Sequence, residues 1–332
     1  MAELTYRPWH AGDDQNLLQI WGDAEGPAVE QFRGELAPDA DHDDTTGVVW
    51  RRCVVAEDQG IPVAAGVVYE SMLHPERMWA YVEVARDHRR RGVGTELLRR
   101  LREAALLAPG GVRALRTKAG SGSTGEAFAG ARGFAPLQRS RHVVVRPGTL
   151  KLPVFGDGSE EQGSQLVQDL ATGSVELSDV VGRYYATVHA WDPPAPLSIG
   201  RAQQLFLSDA SGAHGAVVLR APAQSAFGAG VPAKKKGRLR AFAVSYASPI
   251  AAASQAGDDG EEPTEVFLGY NPELDSADAR DAVRGLLALI AYQHPVVLEV
   301  DDSMDAVRAA VDPLLEAGLA TQLGPDTLVL GD

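Results

Sequence analysis

Apolar positions along the chain alternate between two periods, and the switches mark the elements. A period of two, or a short continuous apolar run, predicts strands at Leu4–Trp9, Val48–Glu57, Pro62–Glu70, Met78–Val84, 114–118 and Pro136–Val145. A period near 3.6 predicts helices from Asp13 to Trp21, from Pro27 to Leu36, from the glycines after Arg91 to about Leu107, and ahead of Gly133. The order over residues 1–150 is β, α, α, β, β, β, α, β, α, β. The same order is expected again from residue 164 onward. Helices there cover 177–191, 198–207, 278–292 and 304–317; strands cover 216–220, 238–246, 265–270, 296–300 and 327–330. The Gly-, Asp- and Glu-rich stretch 151–163 reads as a linker, and 221–237 and 248–263 read as loops. The expectation is an α+β chain of two tandem domains, each a mixed, mostly antiparallel sheet flanked by helices.

The most informative switch of period lies at Val82-Glu83-Val84-Ala85-Arg86-Asp87-His88-Arg89-Arg90-Arg91-Gly92-Val93-Gly94-Thr95. An apolar strand turns through a polar corner and becomes a helix with Val93, Leu97, Leu98, Leu101 and Ala105 on one face. Glycines at such a corner let the backbone come close to a ligand, and the first N–H groups of the helix point outward without intrahelical acceptors. That geometry favours an anion. No lysine follows the glycines, so the pattern is not a Walker loop, and Leu97 stands where a dinucleotide fingerprint needs its third glycine.

The remaining pattern, Arg89-x-x-Gly92-x-Gly94 after Val-x-Val, resembles the coenzyme A pyrophosphate loop of the GNAT superfamily of N-acetyltransferases. The element order over 1–150 and Arg132-Gly133-Phe134 after the last helix extend that resemblance to a whole domain. The resemblance implies acetyl-CoA as co-substrate, with backbone around Val82, Glu83 and Val84 meeting the pantetheine and thioester. It implies that Arg89, Arg90, Arg91, Gly92, Val93, Gly94 and Thr95 hold the pyrophosphate. Family members often carry a tyrosine four residues before Gly-Phe, whose hydroxyl protonates the leaving thiolate; here that position is Ala129, and the asparagine often found seven residues earlier is Gly122.

Acyl transfer to an amine requires the amine to be neutral. For a lysine-like amine of pKa about 10.4 this costs roughly 4.6 kcal/mol at pH 7, so a base is useful. Glu83 stands on the central strand and Tyr81 two residues earlier on the same face; Glu83 is the candidate base and Tyr81 a candidate acceptor contact. Trp9, Trp21 and Phe32 fit the acceptor side and the core equally well. His74, His88 and His142 show no ligand spacing and read as surface residues, and His189 as helix packing.

Charge and cysteine content narrow the class. The net charge is −14 and is uneven: residues 1–150 hold 19 Lys+Arg against 20 Asp+Glu, and the remainder 12 against 25. Nucleic acid is therefore not an expected partner. No apolar run nears the roughly 18 residues that span a bilayer, so no membrane partner is expected either. Cys53 is the only cysteine, which rules out an internal disulfide and a multi-cysteine zinc site. No metal is expected, since Asp39–Asp44 lacks the glycine and trailing glutamate of a calcium loop. A cytoplasmic monomer or homodimer is the plain expectation. In sum, residues 1–150 are expected to be an acetyl-CoA-binding domain and 164–332 a degenerate copy. In the copy, Asn271–Arg280 places carboxylates where phosphates would go. The function expected is N-acetylation of a small amine by direct transfer in a ternary complex; the alternative is a non-catalytic coenzyme A-binding sensor.

Overall fold

The computed structural model describes residues 4–24, 27–43, 45, 47–154, 167–222, 237–247 and 262–332. Most of the linker read at 151–163, and nearly all of the loops read at 221–237 and 248–263, lie outside the described residues. The chain divides into two compact units. The first comprises Met1–Gln138, Trp191–Ala195 and Thr327–Asp332; the second comprises Arg139–Ala190 and Pro196–Asp326.

The first unit holds β1 (Thr5–Pro8), α1 (Asp13–Trp21), α2 (Pro27–Gly34), β2 (Arg51–Asp58), β3 (Ile61–Tyr69), β4 (Met78–Val84), α3 (Val93–Ala105), β5 (Leu115–Gly120) and α4 (Thr124–Gly130). The sheet order is β1-β2-β3-β4-β5, closed by residues 327–331 of the last strand, β12 (Ala320–Gly331). All neighbours are antiparallel except β4 and β5, which are parallel because α3 carries the chain back between them. That parallel pairing covers only Met78 with Leu115 and Trp79 with Arg116. Beyond those positions β5 bonds β12 instead, through Arg116 to Gly120. The sheet is therefore parted between the second half of β4 and that of β5.

Alternation along β2, β3 and β4 gives the sheet two apolar faces. The even-numbered residues Val54, Ala56, Ala64, Val68, Ala80 and Val82 pack with α3, whose predicted stripe of Val93, Leu97, Leu98, Leu101 and Ala105 is buried throughout. Gly66 permits this close approach, since a Cβ there would lie 2.9 Å from Leu101 Cδ1 and 3.1 Å from the Tyr81 carbonyl. The odd-numbered residues Cys53, Val55, Ala65, Val67, Trp79 and Tyr81 pack with Leu17 of α1 and Phe32 of α2. Burial and the nearby Asp39 push the Cys53 thiol up to about 12, so it is an inert core residue.

The second unit repeats the order: β7 (Val167–Leu170), α5 (Val175–Val188), α6 (Ile199–Phe206), β8 (Ala213–Arg220), β9 (Leu239–Tyr246), β10 (Thr264–Tyr270), α7 (Ser276–Ile290), β11 (Val296–Asp301) and α8 (Asp305–Glu316). Its sheet runs β7-β8-β9-β10-β11 and is closed by Ser140–Val145 of β6 (Ala135–Val145). Here too the parallel pair is brief, Thr264 with Val296 and Glu265 with Val297. β7, at the start of this order, is a short strand that period alone does not predict. Among the described residues, no helix is long and apolar enough to cross a membrane.

Candidate functional site

The corner after β4 is built as an open nest. Arg86–His88 make one 3-10 turn, and Arg89 Nε donates to the Val84 carbonyl at 2.9 Å, tying the corner back to its strand. Arg90 and Gly92 then take left-handed conformations, with φ of 64° and 85°. For Arg90 that is uncommon backbone, of the kind held at ligand clamps. Helix α3 starts at Val93 with Gly92 as its N-cap and no side chain capping it. The first-turn N–H groups of Val93, Gly94 and Thr95 thus have no acceptor within the helix. Arg90, Arg91 and Gly92 are exposed around them. Donors, dipole and two guanidinium groups all suit a diphosphate.

Gly94 faces inward. A Cβ there would touch the Phe128 ring at 3.5 Å and Val84 Cγ2 at 3.6 Å, so the helix end sits directly against β4 and α4. The nest therefore opens beside the parting of β4 and β5. Ala129 is buried, and Ser123 accepts from Glu126 N as the N-cap of α4. Ala129 has no hydroxyl to give a proton, and the Ser123 oxygen is engaged as a helix cap.

On the α1–α2 face of the parting stands an aromatic wall with one ion pair. Glu83 accepts from Arg33 Nε (2.9 Å) and Nη2 (2.7 Å) and from the Tyr81 hydroxyl (2.6 Å). Arg33 also donates to the Gly22 carbonyl, and its guanidinium lies 5.4 Å from the Trp21 ring. Phe32 stacks on Tyr81 with centroids 4.9 Å apart and meets Trp79 edge-on at 5.6 Å. Burial, reinforced by Glu83, raises the Tyr81 phenol well above its usual range, so it remains a neutral donor. A cavity of about 490 Å³ lies next to Arg33, lined by Leu18, Gly22, Asp23, Ala24 and Glu30.

The base of the parting is locked by a segment from far along the chain. Asp192 is wholly buried and bonds Arg116 Nη1 through Oδ2 and Arg77 Nη1 through Oδ1, the latter at 3.0 Å. Its carbonyl accepts from His74 Nδ1 at 2.6 Å, and Ala195 N donates to the Leu73 carbonyl. The Arg116 guanidinium lies over Trp79, 4.0 Å from the ring centroid. His74 is therefore a buried residue and not a surface one, because Asp192 supplies its partner from 118 residues away. His88 likewise pairs with Asp58, Nε2 donating to Oδ2 at 3.0 Å. At α1, Asp13 lies in the first turn and does not cap the helix. Gly12 is its N-cap, and Asp13 instead accepts from Arg7 and from His10 N.

Sequence reasoning placed Tyr81 and Glu83 on one face, and the structure brings them together. It missed Arg33, Asp192 and Lys118, whose Nζ lies 5.7 Å from the Trp79 ring centroid. Arg33 carries a usable signal in hindsight, being the one cation of α2 and directly after Phe32. Asp192 carries none, since nothing local reveals a partner in β5.

The second unit differs at the matching positions. Asp275 caps α7, its carboxylate accepting from Ala277 N and Asp278 N, so the nest is filled by the chain itself. Register from the parallel pairs sets Gly269 level with Glu83. A Cβ at Gly269 would overlap the Phe242 and Tyr184 rings.

A sequence model of the acetyltransferase (GNAT) domain matches residues 49–135. No curated protein matches the sequence. Among solved structures, a GCN5-related N-acetyltransferase from Sphaerobacter thermophilus aligns over 99% of this chain and 95% of its own, at TM-score 0.53 and 14% identity. A tandem GNAT protein from the clavulanic acid biosynthesis pathway aligns over 99% and 98%, at TM-score 0.50 and 16% identity. At such identities the likeness is one of fold. Residues 49–135 thus match the acetyltransferase (GNAT) domain, in a chain with the fold of a tandem GNAT protein.

Proposed function

We propose that the first unit transfers an acetyl group from acetyl-CoA to the amine of a small molecule, directly within a ternary complex. One observation carries this reading: the uncapped N-terminus of α3 opens beside the parting of β4 and β5. When bound, acetyl-CoA supplies an activated acyl group as its thioester. Backbone N–H groups from Arg90 to Thr95, with the Arg90 and Arg91 guanidinium groups, are the candidates to hold its pyrophosphate. The backbone at Val82, Glu83 and Val84, unpaired toward β5, is the candidate edge for the pantetheine.

Glu83 is the proposed receiver of the amine's proton. Arg33 and Tyr81 hold its carboxylate in one orientation, so a proton acceptor is already aimed when the amine arrives. Tyr81 positions Glu83 and does not act as the general acid. Ala129 offers no proton to the leaving group, which a thiolate of pKa about 8.5 tolerates.

A second reading, a non-catalytic coenzyme A-binding sensor, draws on two of the same facts: Glu83 is engaged by Arg33, and Ala129 carries no hydroxyl. Calorimetric titration with acetyl-CoA tests both, followed by mass detection of products across an amine panel. One site per chain with turnover is the expected result. One site with no turnover on any amine selects the sensor, and no binding removes both.

A further inference from the structure

We propose that the acceptor is amino-acid-like, carrying a carboxylate beside its reactive amine, and that Lys118 is the residue that reads it. This deepens the acetyl-transfer reading and takes the acceptor site from it. β4 and β5 run parallel from the pairs Met78–Leu115 and Trp79–Arg116, so two residues further on Lys118 comes level with Tyr81 across the gap. Its ammonium lies over Trp79, on the face that also carries Tyr81 and Glu83.

The two cations of β5 on this face are satisfied differently. Arg116 is neutralised by the buried Asp192. Lys118 is half-buried, and among the described residues no carboxylate pairs with it. A half-buried cation with no counter-charge beside an aromatic wall is placed to take an anionic group from a ligand. Across the gap, Glu83 turns a carboxylate already bonded to Arg33 and Tyr81 toward the same aromatic wall, so Lys118 is the charge on this face left without a counter-ion among the described residues. An acceptor with an ammonium alone satisfies Glu83 and is repelled by Lys118. A zwitterion satisfies both, with its ammonium on Glu83, its carboxylate on Lys118 and its carbon body against Phe32, Trp79 and Tyr81. The matching position in the second unit, counted from its own parallel pairs, is Glu299, which would repel such a ligand.

The test uses the full chain with coenzyme A present, and apolar L-amino acids against their carboxamides as probes. Binding is read with coenzyme A by tryptophan fluorescence and calorimetry, and acetylation in a separate reaction with acetyl-CoA as donor, by mass. The amino acid should bind at least about tenfold more tightly than its amide, the scale of one charge-assisted hydrogen bond. Lys118→Ala should abolish that preference, and Lys118→Arg should retain it. Equal binding of acid and amide, binding of neither, or a preference untouched by Lys118→Ala would overturn the assignment. A Lys118-dependent preference without any acetylation keeps the assignment and removes the transferase reading. Equal acetylation of acids and amides does the reverse.

Discussion

The two units build the same strand–helix corner and finish it in opposite ways. In the first, α3 begins at a left-handed glycine and leaves its N–H groups open; in the second, Asp275 folds a carboxylate onto the equivalent groups of α7. The strand before each corner differs in the same sense, Glu83 in one and Gly269 in the other, the latter closed over by the Phe242 and Tyr184 rings. At the position of the buried, charged Arg116 the second unit has the buried, apolar Val297. At these three positions the second unit takes the self-satisfied choice and the first leaves a polar group unmet or buries a charge. A helix cap is worth roughly 0.5–2 kcal/mol, and the first unit forgoes it at the one helix end beside the parted strands. Stability given up locally is how a fold marks a site.

The largest break in this comparison is expected at Asp192. Asp192→Ala leaves the Arg116 guanidinium buried without its counter-ion, a change that typically costs about 3–5 kcal/mol. Denaturant unfolding should show the loss in the first unit. The double variant Asp192→Leu with Arg116→Val imports the second unit's apolar solution and should recover much of that loss. A single variant as stable as the parent would show that the ion pair contributes nothing.

Next in size is the exchange of corner chemistry. Gly92→Glu puts a side chain on backbone at φ 85° and a carboxylate at the mouth of the nest. Acetyl-CoA affinity should fall at least about a hundredfold, or roughly 2.7 kcal/mol. The reciprocal Asp275→Ala should lower stability by about 1 kcal/mol through loss of the cap. It should create no second acetyl-CoA site, because Gly269 and its covering rings still fill the neighbouring space. A stoichiometry of two sites in that variant would mean that Asp275 alone separates the units.

Among the described residues, the periods of apolar residues located every α-helix and most strands because the burial they report is local. The stripe Val93–Ala105 is buried as spaced, and Met78–Val84 has the bounds expected. The nest was legible because glycine and arginine spacing encodes backbone shape directly. The site's other half was not. Arg33 reaches Glu83 across 50 residues, and Asp192 reaches Arg116 across 76. Such pairs depend on which helix covers which strand. The closing strand was equally hidden, since Thr327–Gly331 alternates as any edge strand would and its pairing with β5 is set only by the assembled sheet.

The smallest effect expected is a pH dependence confined to the first unit. Burial disfavours the imidazolium of His74, and the Arg116 cation adds to this against the pull of Asp192, so its pKa lies below the usual value of about 6.5. The groups facing it are Asp192, Arg116 and, further off, Lys118. As pH falls through about 6.5 the unfolded chain takes up a proton that the folded state still refuses, so stability declines with acidification until the folded pKa is reached. Above that window the contribution is flat. Thermal melts between pH 5 and 8 should show the slope, and His74→Gln should flatten it while keeping a donor near the Asp192 carbonyl. The second unit has its own buried contact of this kind, His189 beside Asp301, but His189 is less enclosed and stacks on Tyr185 at 3.9 Å. If His189→Gln removes the slope and His74→Gln leaves it, the pH-sensitive element belongs to the second unit, and the buried charge of the first carries no acid penalty.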